Sequence, residues 1–487
     1  MGMIAKQSIY NVISIALAFV LGAVNMLYLY PTYPGKEFQG LVTALLANSN
    51  LIQPFISFGV QHALIKYFSK YESPVEKDRL LWFVLLFPLL ILLLIIPFYV
   101  YYSDTLLNFL SNDNDSVGRF PLMILSISIA TAYFEIFFSW LRVHLKSVFG
   151  NFLKEFYPRL LIFTLLIAYT FRWIDLDAFI LLLIVGYYFR LLLIMIACFQ
   201  LYFPKFDGKL PRAWKEIFNY SGLIFLSGAA ASFILDIDKS MINAMLDFES
   251  VAFYAVALYM ASTIEAPSRA MFQITSPLVA TAINAEDDAR LSSLLKKSSA
   301  NLLAVSGLVF LLVNLNLTDM YVLINQEGYS TATGVVVIVS VGKLFSNSLG
   351  CLNNIISNSK YYRYVFWISV SAALLAVALN YNFIQSLGIL GAAYATLLVI
   401  FVTNVAKLIL IYKTFGIHPY SLNTFKILLC LLLIYALMEW IPWGFSPLLN
   451  ILLKSITIGG VFVLAVIQFQ LSQELINLYH NVRKQLF

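Results

Sequence analysis

Long runs of apolar residues recur along the whole chain and constrain its fold more than any other feature. The runs 80–102 and 178–202 are each long enough to cross a bilayer as a helix, which takes about 20 residues. They are rich in Leu, Ile, Phe and Ala and lack the polar-apolar alternation of a lipid-facing β-barrel. Only 11% of the 487 residues are charged, too few to cover the surface of a soluble protein. The chain is therefore predicted to be an all-α polytopic membrane protein.

The number of spans follows from the chain length, because a membrane helix with its loop takes about 35 residues. This predicts about fourteen transmembrane helices. The predicted spans are residues 8–30, 39–65, 80–102, 119–141, 156–172, 177–202, 214–237, 250–281, 298–318, 331–357, 362–381, 388–412, 422–440 and 448–471.

The basic residues orient these spans, because cytoplasmic loops carry an excess of Lys and Arg. Most of the 31 basic residues fall in alternate loops, which predicts that both termini lie on the cytoplasmic side of the membrane. The loops on the opposite side carry mainly Asp and Glu. Because the basic residues are dispersed, we expect no nucleic-acid partner. The three cysteines lie singly within spans, so we expect no metal site.

A polar connector at 203–214 divides the chain into six spans before it and eight after it. The predicted domains are a six-helix lobe at 1–203, a second at 204–414, and helices 13 and 14 with a cytoplasmic tail at 415–487. A weak internal repeat supports two related lobes and places a proline in the second helix of each. Such bent helices suggest a transporter that alternates access, although prolines are also generally frequent in membrane helices. The repeat aligns Ala44 with Ala257, Leu45 with Leu258, Ser49 with Ser262 and Pro54 with Pro267.

Several stretches resemble polysaccharide flippases of the Wzx type, in the multidrug/oligosaccharidyl-lipid/polysaccharide exporter superfamily. In the first motif Gln39 replaces the usual glycine. The stretches are Tyr33-Pro-Gly-Lys-Glu-Phe-Gln-Gly-Leu, Phe58-Gly-Val-Gln-His-Ala-Leu, Leu235-Asp-Ile-Asp-Lys-Ser-Met-Ile, Val251-Ala-Phe-Tyr-Ala-Val-Ala and Gly388-Ile-Leu-Gly-Ala-Ala-Tyr-Ala-Thr.

This resemblance implies two six-helix lobes in a V shape, followed by two C-terminal helices. It implies a flippase, not an enzyme, that moves undecaprenyl-pyrophosphate-linked oligosaccharide across the bacterial inner membrane for O-antigen, capsule or exopolysaccharide assembly. The implied partners are the lipid-linked glycan, the membrane, and a polysaccharide polymerase and glycosyltransferases of the same pathway.

Charged residues within the spans are the candidate site residues, because each costs about 2.5–3.5 kcal/mol near the bilayer centre. A pyrophosphate needs cations along its path, and Arg binds phosphate oxygens with two donors. Arg190 and Lys343 are the strongest candidates, since neither has an acid nearby in sequence. Anchoring at the membrane surface is the alternative interpretation for Arg142, Arg159 and Lys407, which lie near the cytoplasmic side. The complete set is Arg142, Arg159, Arg190, Arg269, Lys343 and Lys407.

Release of a tightly held anion suggests coupling to sodium or protons, with no other cofactor, and carboxylates are natural carriers. Glu265 stands four residues before Arg269, so a structural pair is equally open. Asp236 and Asp238 could instead close a helix end with Lys239. By resemblance to lipid II flippases, Asn380 and Thr396 would complete a sodium site, although Ile384 replaces the expected acid. The candidates are Asp236, Asp238, Glu265, Glu135, Asn380 and Thr396.

Two other functions are weighed against a flippase. A cation-coupled drug exporter of the same superfamily usually has acidic groups in its lobes, whereas the charges at membrane depth are mainly basic here. A membrane glycan polymerase or ligase usually carries catalytic residues in a large outer loop, and the outer loops here are short. The chain also lacks a Gly-x-x-x-x-Gly-Lys loop and a His-Glu-x-x-His motif.

Overall fold

The computed structural model describes residues 17–101, 121–144, 146–472 and residue 476. The predicted cytoplasmic termini, the start of the first span and the outer loop with Arg119 lie outside these residues. Within them the chain forms nineteen helices and no strand. The helices are α1 Leu17–Thr32, α2 Lys36–Ser57, α3 Val60–Phe68, α4 Pro74–Tyr101, α5 Pro121–Val143, α6 Ser147–Glu155, α7 Tyr157–Thr170, α8 Leu176–Leu201, α9 Trp214–Met245, α10 Phe248–Ser262, α11 Ala266–Asn284, α12 Asp288–Asn314, α13 Leu317–Ile324, α14 Thr333–Asn347, α15 Leu352–Asn358, α16 Tyr362–Leu387, α17 Ile389–Phe415, α18 Leu422–Glu439 and α19 Pro447–Gln468.

The predicted all-helical membrane fold is confirmed. Of the described helices, nine are long and apolar enough to cross a membrane, and eleven if each bent pair counts as one span. Two shorter apolar segments, Leu17–Thr32 and Ile274–Asn284, add to these. The described part of every predicted span is mostly helical, although several spans contain a turn, and the count of fourteen stays a prediction.

The chain divides into two compact units, Met1–Ala252 and Phe253–Phe487. Helix α9, which the sequence assigns to the second lobe, belongs to the first unit and packs against α2 and α3. The contact is close: a Cβ added to Gly59 would lie 2.5 Å from the carbonyl oxygen of Ser221. The predicted boundaries at 203 and 414 stay a prediction.

The two predicted bent helices break at different registers. After Pro54 the first continues to Ser57, then Phe58 and Gly59 take left-handed φ values of 44° and 74°, and α3 leaves at 49°. Gly59 therefore marks this bend, because glycine tolerates that conformation. The second breaks earlier, in a 3-10 turn at Thr263–Glu265, and Pro267 lies in the first turn of α11.

Two other predicted boundaries change in the structure. The seventh helix does not end at 237 but runs to Met245, so Asp236 and Asp238 lie inside it. The predicted span 331–357 divides into α14 and α15 around Gly350, whose φ is 59°. An added Cβ there would lie 2.5 Å from the backbone nitrogen of Ser299, so both the turn and the close packing require glycine.

The last two helices belong to the core of the second unit. Buried side chains of α18 and α19 pack against α12, where Leu431 fills the space beside Gly307. Polar contacts add to this packing: Lys454 Nζ lies 2.6 Å from Asp319 Oδ2, and Asn450 donates to the other carboxylate oxygen at 3.0 Å. Both charges are mostly buried, so the ion pair fixes α19 to α13.

Candidate functional site

The break between α10 and α11 carries a charged group held from another helix. Glu265 ends the 3-10 turn, and Lys343 Nζ of α14 donates to its Oε2 at 2.5 Å. One turn later on α14, Asn347 donates at 2.8 Å to the carbonyl oxygen of Ile264 and at 2.8 Å to Ser306 Oγ. Helix α14 thus holds the break at two points, through an ion pair and through an amide that satisfies backbone left open by the turn.

This break carries more positive than negative charge. The elements packed against the 3-10 turn are α11, α12 and α14. Beside Glu265 their membrane portions contribute Lys343 and Arg269, and α12 has no charged residue after Lys297. Arg269 is exposed, and the Lys343 and Glu265 side chains are 21% and 39% exposed. The described residues of the break thus carry two cations and one carboxylate, a charge balance suited to an anion.

The sequence points to Arg269 as the partner of Glu265, one turn away on the same helix. The structure brings Lys343 to Glu265 from 78 residues along the chain. Sequence reasoning also missed Asn347, although its spacing of four residues from Lys343 places both side chains on one face of α14.

Lys407 of α17 is a further cation within a span. It is half-buried, and no carboxylate of the described residues lies within 4.0 Å of it. One turn earlier, Asn404 donates to Ser346 Oγ of α14 at 2.8 Å. Helix α17 therefore places its lysine one turn beyond a polar contact with the helix that carries Lys343.

Arg190 is enclosed within the first unit, with 5% of its surface exposed. Its guanidinium lies 4.2 Å from the Phe134 ring centre and 4.7 Å from that of Tyr187, and Nη2 donates to Thr131 Oγ1 at 3.4 Å. Among the described residues Nε has no acceptor and no carboxylate pairs with the side chain. The two rings compensate part of its desolvation, and Nε remains an unused donor.

The other two arginine candidates lie at helix ends. Arg142 is exposed in the last turn of α5, with its guanidinium 5.7 Å from the Phe138 ring centre. Arg159, in the first turn of α7, donates to the backbone oxygen of Glu155 at 2.6 Å. Both positions match the anchoring interpretation, since long cationic side chains at span ends reach toward the headgroups.

Three of the candidate carboxylates already hold a lysine. Glu135 pairs with Lys154 at 2.7 Å, and Glu265 pairs with Lys343. Asp236 contacts the Lys239 ammonium through Oδ1 and accepts from Asn50 through Oδ2 at 3.2 Å. A metal ion at any of these carboxylates would have to displace an ammonium group.

The remaining coupling candidates are buried or half-buried polar groups. Asp238 is buried, and its Oδ1 accepts from the Lys239 backbone nitrogen at 2.8 Å. Asn380 is buried, and its Oδ1 has no donor in the part of the chain that the structure describes. Thr396 Oγ1 lies 3.5 Å from Tyr254 Oη. No hydrogen bond between described residues joins Asn380 to Thr396.

Three solved structures share this fold. A lipid II flippase MurJ in an inward closed conformation is 15% identical, with a TM-score of 0.73 over 96% of this chain and 99% of its own. An inward-facing multidrug resistance MATE family transporter of the MOP superfamily is 11% identical, with a TM-score of 0.61 over 83% and 98%. The MATE multidrug transporter DinF-BH is 12% identical, with a TM-score of 0.52 over 84% and 95%.

The amino-acid sequence also matches the model of a known protein family. No curated protein sequence matches the chain. The family model described as polysaccharide biosynthesis protein, in contrast, matches residues 4–276, more than half of the chain. The matched segment includes residues 4–252 of the first unit and the break with Glu265. This multi-pass membrane chain therefore belongs to the polysaccharide biosynthesis protein family.

Proposed function

We propose that this protein flips an undecaprenyl-pyrophosphate-linked oligosaccharide across the bacterial inner membrane by alternating access, for O-antigen, capsule or exopolysaccharide assembly. The observation that carries the proposal is the charge at the break between α10 and α11. There Lys343 pairs with Glu265, and Arg269 follows four residues later in the chain, so the described residues of the break carry two cations and one carboxylate. Family membership and the fold shared with a lipid II flippase support the same class of substrate.

The chemistry of the substrate explains why this charge is needed. A pyrophosphate carries negative charge into a region of low dielectric, where an unpaired ion is strongly disfavoured. Lys343 provides a point charge, and Arg269 provides a planar fork that matches phosphate oxygens. Glu265 neutralises Lys343 until the anion arrives. Arg190 is a further candidate cation, since its Nε has no acceptor in the described part of the first unit.

We propose protons as the coupling ion. A proton neutralises a carboxylate and releases the lysine that it holds, whereas sodium must displace the ammonium group from Glu265, Glu135 or Asp236. Protonation of Glu265 frees Lys343 for the substrate anion. The alternative is sodium at Asn380 and Thr396, which the unpaired Asn380 Oδ1 favours. Flipping that depends on a sodium gradient, and not on pH, would support the alternative.

The test is flipping of a fluorescent polyprenyl-pyrophosphate glycan in proteoliposomes. The wild-type protein should move the lipid between leaflets, and Lys343→Ala should slow this at least about 10-fold, equivalent to about 1.4 kcal/mol. The matched control is Lys426→Ala, which removes an exposed lysine at the start of α18. Equal rates for both variants would remove Lys343 from the mechanism.

The same proteoliposome assay distinguishes a flippase from the other two candidate functions. Export of a cationic dye without movement of the lipid-linked glycan would favour a drug exporter. Lengthening of the glycan during the assay would favour a polymerase or ligase, and a product of unchanged mass is expected from a flippase.

A further inference from the structure

A cavity of about 690 Å³ opens on the first unit where two helix connections meet. One connection joins α1 to α2 and the other joins α7 to α8. The volume falls within the range of about 300–1,000 Å³ typical of small-molecule sites. The residues that define its chemistry are Tyr33, Tyr169, Arg172, Trp173 and Asp175.

The three lining aromatic rings form a supported and accessible surface. Trp173 is 75% exposed and Tyr33 is 42% exposed. A second aromatic ring supports each of the three, so their positions are held by packing. The pairs, with distances between ring centres, are Trp173 with Phe171 at 5.5 Å, Tyr33 with Tyr28 at 6.4 Å, and Tyr169 with Phe38 at 6.4 Å.

A tight turn at the end of α7 places a charged and an aromatic side chain together at this cavity. Arg172 has a left-handed φ of 59°, which costs a non-glycine residue about 1 kcal/mol or more. Its backbone nitrogen donates to the Tyr169 oxygen at 2.9 Å, and that of Trp173 donates to the Ala168 oxygen at 2.9 Å. The turn gives Arg172 and Trp173 adjacent positions in the lining.

The cavity also contains a carboxylate beside these rings. Asp175 caps α8, since its Oδ1 accepts from the Ala178 backbone nitrogen at 2.8 Å. No donor of the described residues reaches Oδ2, so this oxygen can accept from a ligand hydroxyl. The cavity thus combines flat apolar faces with a carboxylate acceptor and a guanidinium donor.

We propose that this cavity is a carbohydrate-binding site. The faces of aromatic rings carry negative potential, so they attract the electropositive C–H faces of pyranose rings. Asp175 accepts from sugar hydroxyls, and Arg172 donates to ring and hydroxyl oxygens. The predicted topology places the cavity on the side opposite the basic loops. Its role there, to receive the glycan after translocation, rests on the proposed function, whereas sugar binding itself does not.

The test measures binding of free oligosaccharide to the full chain in nanodiscs, by saturation-transfer NMR and by calorimetry. The probe is the water-soluble oligosaccharide that mild acid releases from lipid-linked glycans of the native cells. Trp173→Ala should weaken binding about 10-fold, as expected for the loss of one stacking ring. Asp175→Asn, which preserves the helix cap, should also weaken it. The matched control is Trp440→Ala, which removes a tryptophan that is 89% exposed in the second unit.

Three results would overturn the proposal: no binding by the wild type, wild-type affinity in Trp173→Ala, or equal loss in both tryptophan variants. The last result would assign Trp173 to ordinary contact with lipid headgroups. Melting temperatures of all variants should match, which excludes unfolding as the cause. Because this assay contains no lipid-linked substrate and no transport step, flipping and sugar binding can fail independently.

Discussion

Lys343→Met removes the ammonium group that holds Glu265 and leaves the carboxylate of the helix break without its partner. Two consequences should follow. The second unit should lose stability, because Glu265 becomes a half-exposed charge at membrane depth without compensation. If the proposed function holds, flipping should also slow, because the proposed anion site loses one of its cations.

The loss of stability can be estimated from the geometry of the pair. At 2.5 Å, with an effective dielectric constant of about 20, the Coulomb attraction is about 6–7 kcal/mol. Water screens it, because the two side chains are 21% and 39% exposed. Exposed pairs contribute about 0.2–1 kcal/mol, and breaking a buried pair costs about 3–5 kcal/mol. We therefore expect a loss of about 1–3 kcal/mol.

The assay is a double-mutant cycle of Lys343→Met and Glu265→Gln, measured both as melting temperature in detergent and as flipping rate in proteoliposomes. The double variant removes both charges, so its melting temperature should return close to the wild-type value. Its flipping rate should stay at least about 10-fold low, since the cation is still absent. Glu265→Gln alone should keep Lys343 available for the substrate anion.

Two outcomes would contradict this reasoning. If the double variant flips at the wild-type rate, then Lys343 serves only to compensate Glu265, and the anion site must lie elsewhere. A melting temperature unchanged in Lys343→Met would show that the ion pair contributes no stability.

Four further variants test other parts of the structure. Gly40→Ala should lower the melting temperature, at a cost of about 1–3 kcal/mol or more, because the new Cβ would lie 1.7 Å from a backbone oxygen of α10. Gly459→Ala, with nothing within 4 Å, should not lower it. Lys454→Met should cost about 3–5 kcal/mol in melting experiments, because Asp319 stays buried without its partner. A hydrogen bond from an arginine of α4 lowers the pKa of Asp207. The charged Asp207 therefore stabilises the fold fully above its unfolded pKa of about 3.9. This stabilisation is lost as the pH falls through the lower pKa of the folded state. The difference in melting temperature between wild type and Asp207→Asn should therefore be the same at pH 7 and at pH 5. It should disappear in stronger acid.

Contacts along one helix were predictable, because helical spacing alone brings residues three or four apart together. Asp236 and Lys239 pair as their spacing predicts, although the helix continues past them to Met245. The first motif also contains a residue that a close helix contact requires. Gln39 replaces a glycine, and the neighbouring Gly40 provides the close approach to the backbone of Phe248.

The amino-acid sequence by itself determined the all-helical membrane fold and the family, because hydrophobic length and local motifs need no knowledge of neighbouring helices. Tertiary structure alone decided which helices meet. It paired Glu265 with Lys343, grouped α9 with the first unit, and brought Tyr33 to the cavity of Trp173. The physical reason is that partners on different helices depend on how whole helices pack, and periodicity within one helix carries no information about that packing.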